Sequence, residues 1–316
     1  MSGGTLMVNA LTVDLEDWPQ AVLDHRLPVT DRVAGNTERV LALLDRHRVR
    51  ATFFALGKVC ERFPHLLPMV ASAGHEIASH GYGHQLVCNL TPEEFEADVR
   101  RSIAIIEAQT GLRPAGYRAP AFSITRRSLW AYPILARLGF RYSSSVFPIR
   151  KRRYGIADAP RGPYPLEDGR IVEFPMATWR ILGRNIPACG GGYMRLLPGP
   201  VHGAAVRQLN AAGHPAVAYL HPYELSVGEI DGFVRDGWEV SRWRRLTQSL
   251  WRERVEARLA YLLDRFEFTT LSGCRAAMRS PEGVVSTAES TGAQAAGPIA
   301  CTNSTDRRAV LSLVRG

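Results

Sequence analysis

The amino-acid sequence predicts an α/β fold with a largely parallel sheet or barrel. Two observations lead to this prediction. Strand-like and helix-like segments alternate through most of the 316 residues, and such alternation is typical of parallel sheets whose strands are joined by helices. In addition, clusters of polar residues follow several of the strand-like runs, where sheets and barrels of this class carry their functional sites.

The alternation is clearest in the first third of the chain. An apolar run rich in β-forming residues covers 6–14, and helical spacing of apolar residues follows over 36–47. A buried strand at 51–54, a short helix at 66–73 and a third strand at 76–79 come next. Helical spacing of apolar residues distinguishes the helices from these strands, which are short apolar runs.

The best-defined helix begins with a capping box. Thr91 can cap the first turn, Pro92 suits the first helical position and Glu94 completes the box. We expect this helix to reach about Gln109 and to end at Gly111. Further strands are predicted at 116–120, 141–146, 171–175, 216–220 and 268–271, and further helices at 125–138, 201–212 and 241–266.

Composition separates the last part of the chain from the rest. Beyond residue 272 the sequence is rich in Ala, Gly, Ser, Thr and Pro and lacks the periodic apolar residues that pack a core. We therefore expect an ordered domain at 1–272 and a disordered tail at 273–316.

The overall composition is typical of a globular protein, with 46% apolar and 22% charged residues. No apolar run approaches the length of a membrane span, and the N-terminus lacks the pattern of a secretory leader. We therefore expect no membrane span and a cytoplasmic location. The five cysteines are scattered and form no C-x-x-C pair, which predicts free thiols rather than disulfides or a thiolate metal site.

The formal net charge is +9, and the only two lysines among the 39 basic residues are Lys58 and Lys151. One basic cluster stands at 150–153. It is too short and too poor in interleaved aromatic residues to indicate nucleic-acid binding. We expect a solvated loop there and no nucleic-acid partner.

Three polar clusters follow predicted strands and carry the candidate chemistry. Acidic residues stand within 14–17, His80 and His84 enclose a glycine-rich loop, and His221 follows the strand at 216–220. Glycines between the paired histidines argue against a helix, but a flexible loop can bring both imidazoles to one ion. Because the acidic cluster adds a carboxylate at another strand end, the sequence predicts a metal site.

One nearby pair of residues suggests a different metal motif. His75 and Glu76 resemble the start of a zincin motif, yet His80 follows His75 after five residues rather than four. The two histidines would then not share a helix face. We therefore reject the zincin interpretation and expect His75 to be structural.

Five motifs together resemble the signature of the NodB-type polysaccharide deacetylases, carbohydrate esterase family four. They are Asp14...Asp17, Ala51-Thr52-Phe53-Phe54, His80-x-x-x-His84, Arg118-Ala119-Pro120 and Leu220-His221. The resemblance covers about residues 8–271. Segments 13–18, 190–198 and 256–259 resemble more narrowly the branch associated with bacterial exosortase and exopolysaccharide gene clusters.

The resemblance implies a distorted (β/α) barrel of about seven strands and a divalent ion, often zinc, held by one carboxylate and two histidines. It also implies that water activated by the ion hydrolyses N-acetyl groups of an N-acetylated polysaccharide, an exopolysaccharide or a peptidoglycan-like polymer. The residue types agree, because two imidazoles and one carboxylate leave a position open for water. His80 and His84 are the expected histidine ligands.

The acidic cluster has two expected roles. Asp14 matches the family's general base, which takes the proton from the attacking water. Asp17 is the preferred carboxylate ligand, and Glu16 competes with it, because some relatives space their two acids two apart. Strand alternation would place Asp14 and Glu16 on one side if the strand continued, so the sequence leaves the choice open.

Two further residues match catalytic positions of the family. Arg118 matches the arginine that pairs with the base aspartate and orients it, and His221 matches the general acid that protonates the leaving amine. Ser143 stands where the family commonly has an aspartate that supports this histidine. We therefore expect a lowered pKa for His221, unless Glu224 supplies the missing charge.

The resemblance also implies substrate contacts. Pro120, Ala121 and Phe122 belong to the motif that binds the substrate, and the backbone N–H of Ala121 is a candidate donor to the oxyanion. Tyr193 and Trp179 are candidates for the wall of the sugar site, although a core position suits them equally.

Two other functions stay open. A related hydrolase of the allantoinase-like kind would act on a small cyclic amide, and a shape-restricted pocket would favour it over an open groove. A relative that binds carbohydrate without catalysis is the third alternative, which the presence of every expected reactive residue disfavours.

Overall fold

The computed structural model describes residues 7–151 and 154–278. The strands in these residues are β1 Asn9–Leu15, β2 Thr52–Ala55, β3 Glu76–Ser79, β4 Gly116–Tyr117, β5 Tyr142–Ser143, β6 Tyr164–Leu166, β7 Ile171–Glu173, β8 Thr178–Ile181, β9 Arg184–Pro187, β10 Val217–Leu220 and β11 Phe268–Thr269. The helices are α1 Arg32–Arg46, α2 Gly57–Arg62, α3 Leu66–Ser72, α4 Pro92–Thr110, α5 Ala131–Arg137, α6 Gly191–Leu196, α7 Gly199–Ala211, α8 Glu229–Arg235, α9 Arg242–Ser249, α10 Val255–Leu263 and α11 Leu271–Ala277.

One curled sheet forms the centre of the fold. Its strand order is β10-β1-β2-β3-β4-β5-β7-β6, and β11 pairs with the start of β1. The seven strands from β10 to β7 are parallel to their neighbours, and β6 pairs antiparallel with β7. Within the described residues β10 and β6 do not pair, so the sheet is a half-barrel. The predicted α/β class, with a barrel-like parallel sheet, is confirmed.

Strand β1 explains how the sheet separates core from site. All seven of its residues are buried, as expected for an inner strand that is covered on both faces. Leu11, Val13 and Leu15 pack in the cluster that includes the apolar faces of the surrounding helices. The alternate residues Thr12 and Asp14 therefore point to the other face of the sheet.

Helix boundaries follow the prediction where local signals are strong. In α4, Thr91 and Glu94 make both hydrogen bonds of the capping box, and Gly111 ends the helix at φ +70°. The helix predicted at 125–138 begins only at Ala131. The hydroxyl of Ser128 accepts from the backbone N–H of Thr125 and donates to a backbone carbonyl, and such local bonds compete with helix formation.

One prediction about the second half is wrong. The single helix predicted at 241–266 is divided into α9 and α10, because Trp251 between them adopts a positive φ of 55°. Arg252 follows with a buried side chain that donates to backbone carbonyls of Tyr223 and Gln248. These tertiary contacts override the local helical pattern. The β8–β9 hairpin is not among the predicted elements.

The predicted start of the tail is wrong as well. Residues 273–277 belong to α11, where Leu271 and Cys274 are buried and the N–H of Leu271 donates to Oγ1 of Thr52. Thr270 caps this helix at Gly273. The rest of the predicted tail, 279–316, lies outside the described residues.

The described cysteines are Cys60, Cys88, Cys189 and Cys274, and the thiols of Cys60, Cys189 and Cys274 are free and buried. Cys301 lies outside the described residues. No helix within the described part of the chain is long and apolar enough to cross a bilayer.

Candidate metal centre and active site

The predicted polar clusters meet at the carboxyl edge of the sheet. Asp14 lies at the end of β1, His80 directly follows β3, Arg118 directly follows β4 and His221 directly follows β10. These four strands are parallel, so their carboxyl ends share one edge. The location agrees with the usual place of sites in this class of fold.

Glu16, His80 and His84 form a cluster with the geometry of a metal site. Oε2 of Glu16 lies 2.7 Å from Nε2 of His84 and 3.3 Å from Nε2 of His80. The three side chains are buried, and one ligand atom from each lies within 4.8 Å of the other two. Carboxylate oxygen and imidazole nitrogen are ligands that zinc prefers.

The hydrogen bonds around this cluster also fit a cation. Nδ1 of His80 lies 2.8 Å from the carbonyl oxygen of Arg118. Since a carbonyl only accepts, Nδ1 donates, and Nε2 keeps a free lone pair toward Glu16. Among the described residues, the buried Oε2 of Glu16 accepts no hydrogen bond of acceptable geometry despite its short contacts. A divalent ion would satisfy these atoms together.

Neighbouring charges act on the Glu16 carboxylate. Burial raises its pKa, but the positive charges of His84 and His221 lower it, and the resulting pKa lies well below the ordinary value. Oε1 lies 3.3 Å from Nε2 of His221 and accepts a hydrogen bond from the Tyr223 hydroxyl. Glu16 is therefore ready to act as an anionic ligand at neutral pH.

Asp17, the preferred carboxylate ligand, does not belong to this cluster. The strand continues through Leu15, so Glu16 points to the same side as Asp14. Asp17 turns away: its carboxylate accepts from the backbone N–H groups of Trp18 and Thr30, at 3.0 and 2.6 Å. Burial raises the pKa of Asp17 to about 6, although these amides lower it. Its role is to join the strand end to the loop that precedes α1.

A carboxylate from α4 shapes the histidine loop. Asp98 accepts from the backbone N–H groups of Tyr82 and Gly83, at 2.8 and 2.9 Å. Gly81 has φ +73°, and a Cβ there would lie 2.7 Å from Oδ2 of Asp98. His84 itself has a positive φ of 56°, a conformation that non-glycine residues adopt rarely. The loop therefore depends on Gly81 and Asp98 to direct His84 inward.

Arg118 holds Asp14 in a buried ion pair. Nη1 of Arg118 lies 2.7 Å from Oδ1 of Asp14 and 2.8 Å from Oγ1 of Thr12. Nε and Nη2 donate to the carbonyl and hydroxyl of Ser144, both at 2.9 Å. The guanidinium lies over the ring of Phe54, 4.1 Å from its centre. All three guanidinium nitrogens of Arg118 thus donate hydrogen bonds. The other carboxylate oxygen of Asp14, Oδ2, lies 3.8 Å from Nε2 of His221.

The candidate general acid has its own carboxylate partner. Oε2 of Glu224 lies 3.1 Å from Nδ1 of His221 and also accepts from the backbone N–H of His221. The ring of Tyr223 stacks on the imidazole at 4.9 Å. Burial lowers the pKa of His221, but Glu224, Glu16 and Asp14 raise it, to about 9. Glu224 thus supplies the charge that Ser143 lacks, which is the alternative left open in the sequence analysis.

Ser143 serves a different network. Its hydroxyl donates to Oγ of Ser145 at 2.8 Å, beside the buried carboxylate of Glu173. Glu173 accepts from the backbone N–H groups of Ser145 and Val146, at 2.7 and 2.8 Å, and from the Tyr132 hydroxyl. Burial raises the pKa of Glu173 above its ordinary value. The Glu173 carboxylate therefore holds Ser145 and Val146 in place, directly after Ser144, which binds Arg118.

The expected substrate residues lie in two places. Pro120 and Phe122 are buried, and Ala121 is half-buried; Ala121 and Phe122 both have positive φ, at 49° and 53°. Two such residues in sequence indicate a backbone that its surroundings hold in place, as occurs at functional sites. Tyr193 contacts the ring of Phe147, 6.4 Å between centres. Trp179, in β8, packs against the main core.

Sequence reasoning missed Asp98 and Glu173, although each left a signal. Asp98 stands among the buried apolar positions of α4, and Glu173 ends a strand whose apolar first residue is buried. A charge at such a position is costly unless it is paired.

His75 makes a backbone contact away from this cluster. Its Nδ1 accepts a hydrogen bond from the N–H of Ala51 at 3.2 Å, and burial lowers its pKa to about 4.

Two protein families match the chain in succession. Residues 20–143 match the family described as polysaccharide deacetylase, and residues 144–275 match a domain of unknown function, DUF3473. Arg118 and the histidine pair lie in the first segment, and His221 lies in the second. Asp14 and Glu16 stand before both.

Curated relatives include peptidoglycan deacetylases. The chain is 32% identical to a peptidoglycan deacetylase of Helicobacter pylori over 108 residues, which is 34% of this chain and 36% of the relative. It is also 32% identical to a peptidoglycan-N-acetylglucosamine deacetylase of Bacillus cereus over 96 residues, 30% of this chain and 35% of the relative. The chain thus covers about a third of the length of these relatives.

A solved structure resembles the whole fold. A candidate polysaccharide deacetylase from Mycobacterium smegmatis aligns with a TM-score of 0.53 over 90% of this chain and 96% of its own, at 21% identity. This likeness concerns the fold alone.

Proposed function

The chain carries a polysaccharide deacetylase domain, and on that premise we propose that it hydrolyses N-acetyl groups of an N-acetylated polysaccharide with the help of a divalent ion. The observation that carries the proposal is the cluster of Glu16, His80 and His84 beside Asp14 and His221. These residues come from three separate strand ends and bring ligand, base and acid chemistry to one place. Zinc and an exopolysaccharide or peptidoglycan-like substrate are part of the proposal.

The residues divide the work of amide hydrolysis. Glu16, His80 and His84 would hold the ion, which supplies a Lewis acid to water and to the acetyl carbonyl. Asp14, oriented by Arg118, takes the proton of the attacking water. The N–H of Ala121 is proposed to donate to the developing oxyanion.

His221 completes the reaction at the leaving amine. Its Nδ1 is hydrogen-bonded to Glu224, so a proton on Nε2 points to the side of Asp14 and Glu16. The raised pKa, about 9, keeps the imidazole protonated at neutral pH, as a general acid requires. Transfer of this proton to the amine as the C–N bond breaks leaves acetate and a free amino sugar.

Acetate release tests the proposal. The purified chain is incubated with N-acetylglucosamine oligomers, before and after treatment with a chelator and after zinc is restored. We expect release that chelation stops and zinc restores. Oligomer binding without release would favour the non-catalytic alternative, and hydrolysis of allantoin without release from oligomers would favour the small cyclic amide.

A further inference from the structure

Helix α9 presents its apolar residues to solvent. Trp243 and Leu246 of α9 and Leu250, the residue that caps its C-terminal end, are three and then four residues apart and are 44%, 58% and 38% exposed. Trp251, directly after Leu250, is 37% exposed. This spacing places the first three on one side of the helix. We call these four residues the α9 face. No residue of α9 itself is buried.

The C-terminal end and the opposite side of α9 contact the protein through polar groups. Arg195, from α6, donates to the backbone carbonyls of Thr247 and Gln248, at 2.8 and 3.1 Å. Arg245 donates to Asp231 of α8 at 2.7 Å. A surface helix ordinarily turns its apolar side to the core, so the orientation of α9 is the reverse of the usual one. An exposed apolar face of this kind indicates an interaction surface.

The charges beside this face identify the kind of partner. Arg242 is exposed and Arg244 half-buried, and neither forms an ion pair with another described residue, whereas Arg245 does. Tryptophan and leucine side chains next to arginines are typical of surfaces that bind an anionic bilayer. The rings and aliphatic chains enter the headgroup region, and the guanidinium groups contact lipid phosphates. We propose that the α9 face docks on an anionic lipid surface.

Two other occupants fit the residues less well. A symmetric contact with a second copy of this chain would bring Arg242 and Arg244 of both copies to one patch, where like charges repel. A glycan chain would stack on Trp243 and Trp251, but Leu246 and Leu250 offer no hydrogen-bonding group to its hydroxyls. The lipid surface alone uses both the leucines and the arginines. The proposal does not depend on the proposed deacetylation.

Co-sedimentation with vesicles tests this proposal. The full chain is mixed with vesicles of phosphatidylcholine alone or with about 30% phosphatidylglycerol, and the partition coefficient is measured at low and high salt. Arg242→Gln with Arg244→Gln should lower partitioning to the anionic vesicles about 25-fold, since each arginine near such a surface contributes about fivefold. Leu246→Gln with Leu250→Gln should lower it at least about tenfold.

The β8–β9 hairpin provides a matched control. Leu182 is 97% exposed and Arg184 is also exposed, so Leu182→Gln with Arg184→Gln removes the same residue types from another surface and should leave partitioning unchanged. Thermal unfolding of each variant verifies that it folds.

Three results would overturn the proposal. One is partitioning that is equal for neutral and anionic vesicles or unaffected by both α9 variants. Another is a dimer in sedimentation velocity that Leu246→Gln dissociates, which would assign the face to a second copy. The last is binding of N-acetylglucosamine oligomers that the leucine variants abolish while vesicle binding persists.

Discussion

Glu16 is the residue on which most of the site converges. One oxygen of its carboxylate faces the histidine pair and the other faces His221 and Tyr223. A change at Glu16 therefore affects both the proposed ligand set and the proposed acid. Asp17, one residue later, belongs to a separate backbone contact, so the two neighbours can be distinguished experimentally.

We expect Glu16→Gln to lose tightly bound zinc and Asp17→Asn to retain it. An amide is a weak zinc ligand, and loss of even an outer partner lowers metal affinity by about 10–100-fold, so the affinity should fall at least that far. His80→Ala and His84→Ala should resemble Glu16→Gln. The zinc content of each variant after dialysis, measured by mass spectrometry, tests this prediction. If Glu16→Gln kept its zinc and Asp17→Asn lost it, Asp17 would be the ligand.

The pH profile should report the pairing of His221 with Glu224. Because a general acid works only while protonated, a His221 pKa of about 9 places the loss of activity on the alkaline side. Removal of the neighbouring charge in Glu224→Gln should lower that pKa and move the alkaline limb of kcat to lower pH. Ser143→Ala is the control, since Ser143 contacts Ser145, and should leave the limb in place. An unmoved limb in Glu224→Gln would show that Glu224 does not set the protonation of the acid.

At the scale of elements, the histidine loop combines a strained backbone with a buried carboxylate. Gly81 and Gly111 have nearly equal positive φ, 73° and 70°, but only Gly81 lies against Asp98. Gly111→Ala meets open space and should cost about 1 kcal/mol of stability with zinc affinity unchanged. Gly81→Ala should also displace the loop and lower zinc affinity, as measured by competition with a chelating dye. Equal effects of the two changes would mean that the Asp98 contact does not position the ligands.

Local signals decided which elements the sequence could predict. The boundaries of α4 were predictable because Thr91, Glu94 and Gly111 act within one or two turns. No glycine or proline stands between α9 and α10, so the local sequence does not predict where the helix is interrupted. The interruption depends on a tertiary contact, in which Arg252 donates to the backbone carbonyl of Tyr223. The site shows the same division. The histidine pair follows from spacing, whereas the choice of Glu16 depends on how far β1 extends, and Glu173 acts through residues that lie 28 and 27 positions away.

At the scale of the molecule, the two matched family segments share one sheet. Strand β7 of the second segment pairs with β5 of the first. Strand β10, also in the second segment, pairs over Ala10 to Val13 with β1, which precedes the first segment. The general acid candidate, His221, lies in the second segment, and the histidine ligands lie in the first. Neither segment alone contains the complete set of proposed reactive residues.

A chain that ends at Ser143 should therefore not fold cooperatively. It would lose β10 and would leave one side of β1 unpaired, with Ala10, Leu11 and Val13 exposed there. We expect no sigmoidal thermal transition by circular dichroism, in contrast to a chain that ends at Met278. A sharp transition for the shorter chain would show that the first segment is an independent domain.

The pairing of β1 with β10 also has a consequence for the order in which the protein assembles during synthesis. The hydroxyl of Thr12 donates to the carbonyl of Ala218, 206 positions later, so β1 is synthesised long before β10, the strand that covers one of its two edges. At about 5–20 residues per second, this interval lasts roughly 10–40 s. During that time β1 offers an unpaired, apolar edge of the kind that promotes aggregation. Contacts of such sequence separation also slow folding. We therefore expect a chaperone that binds nascent chains to raise the soluble yield of this protein.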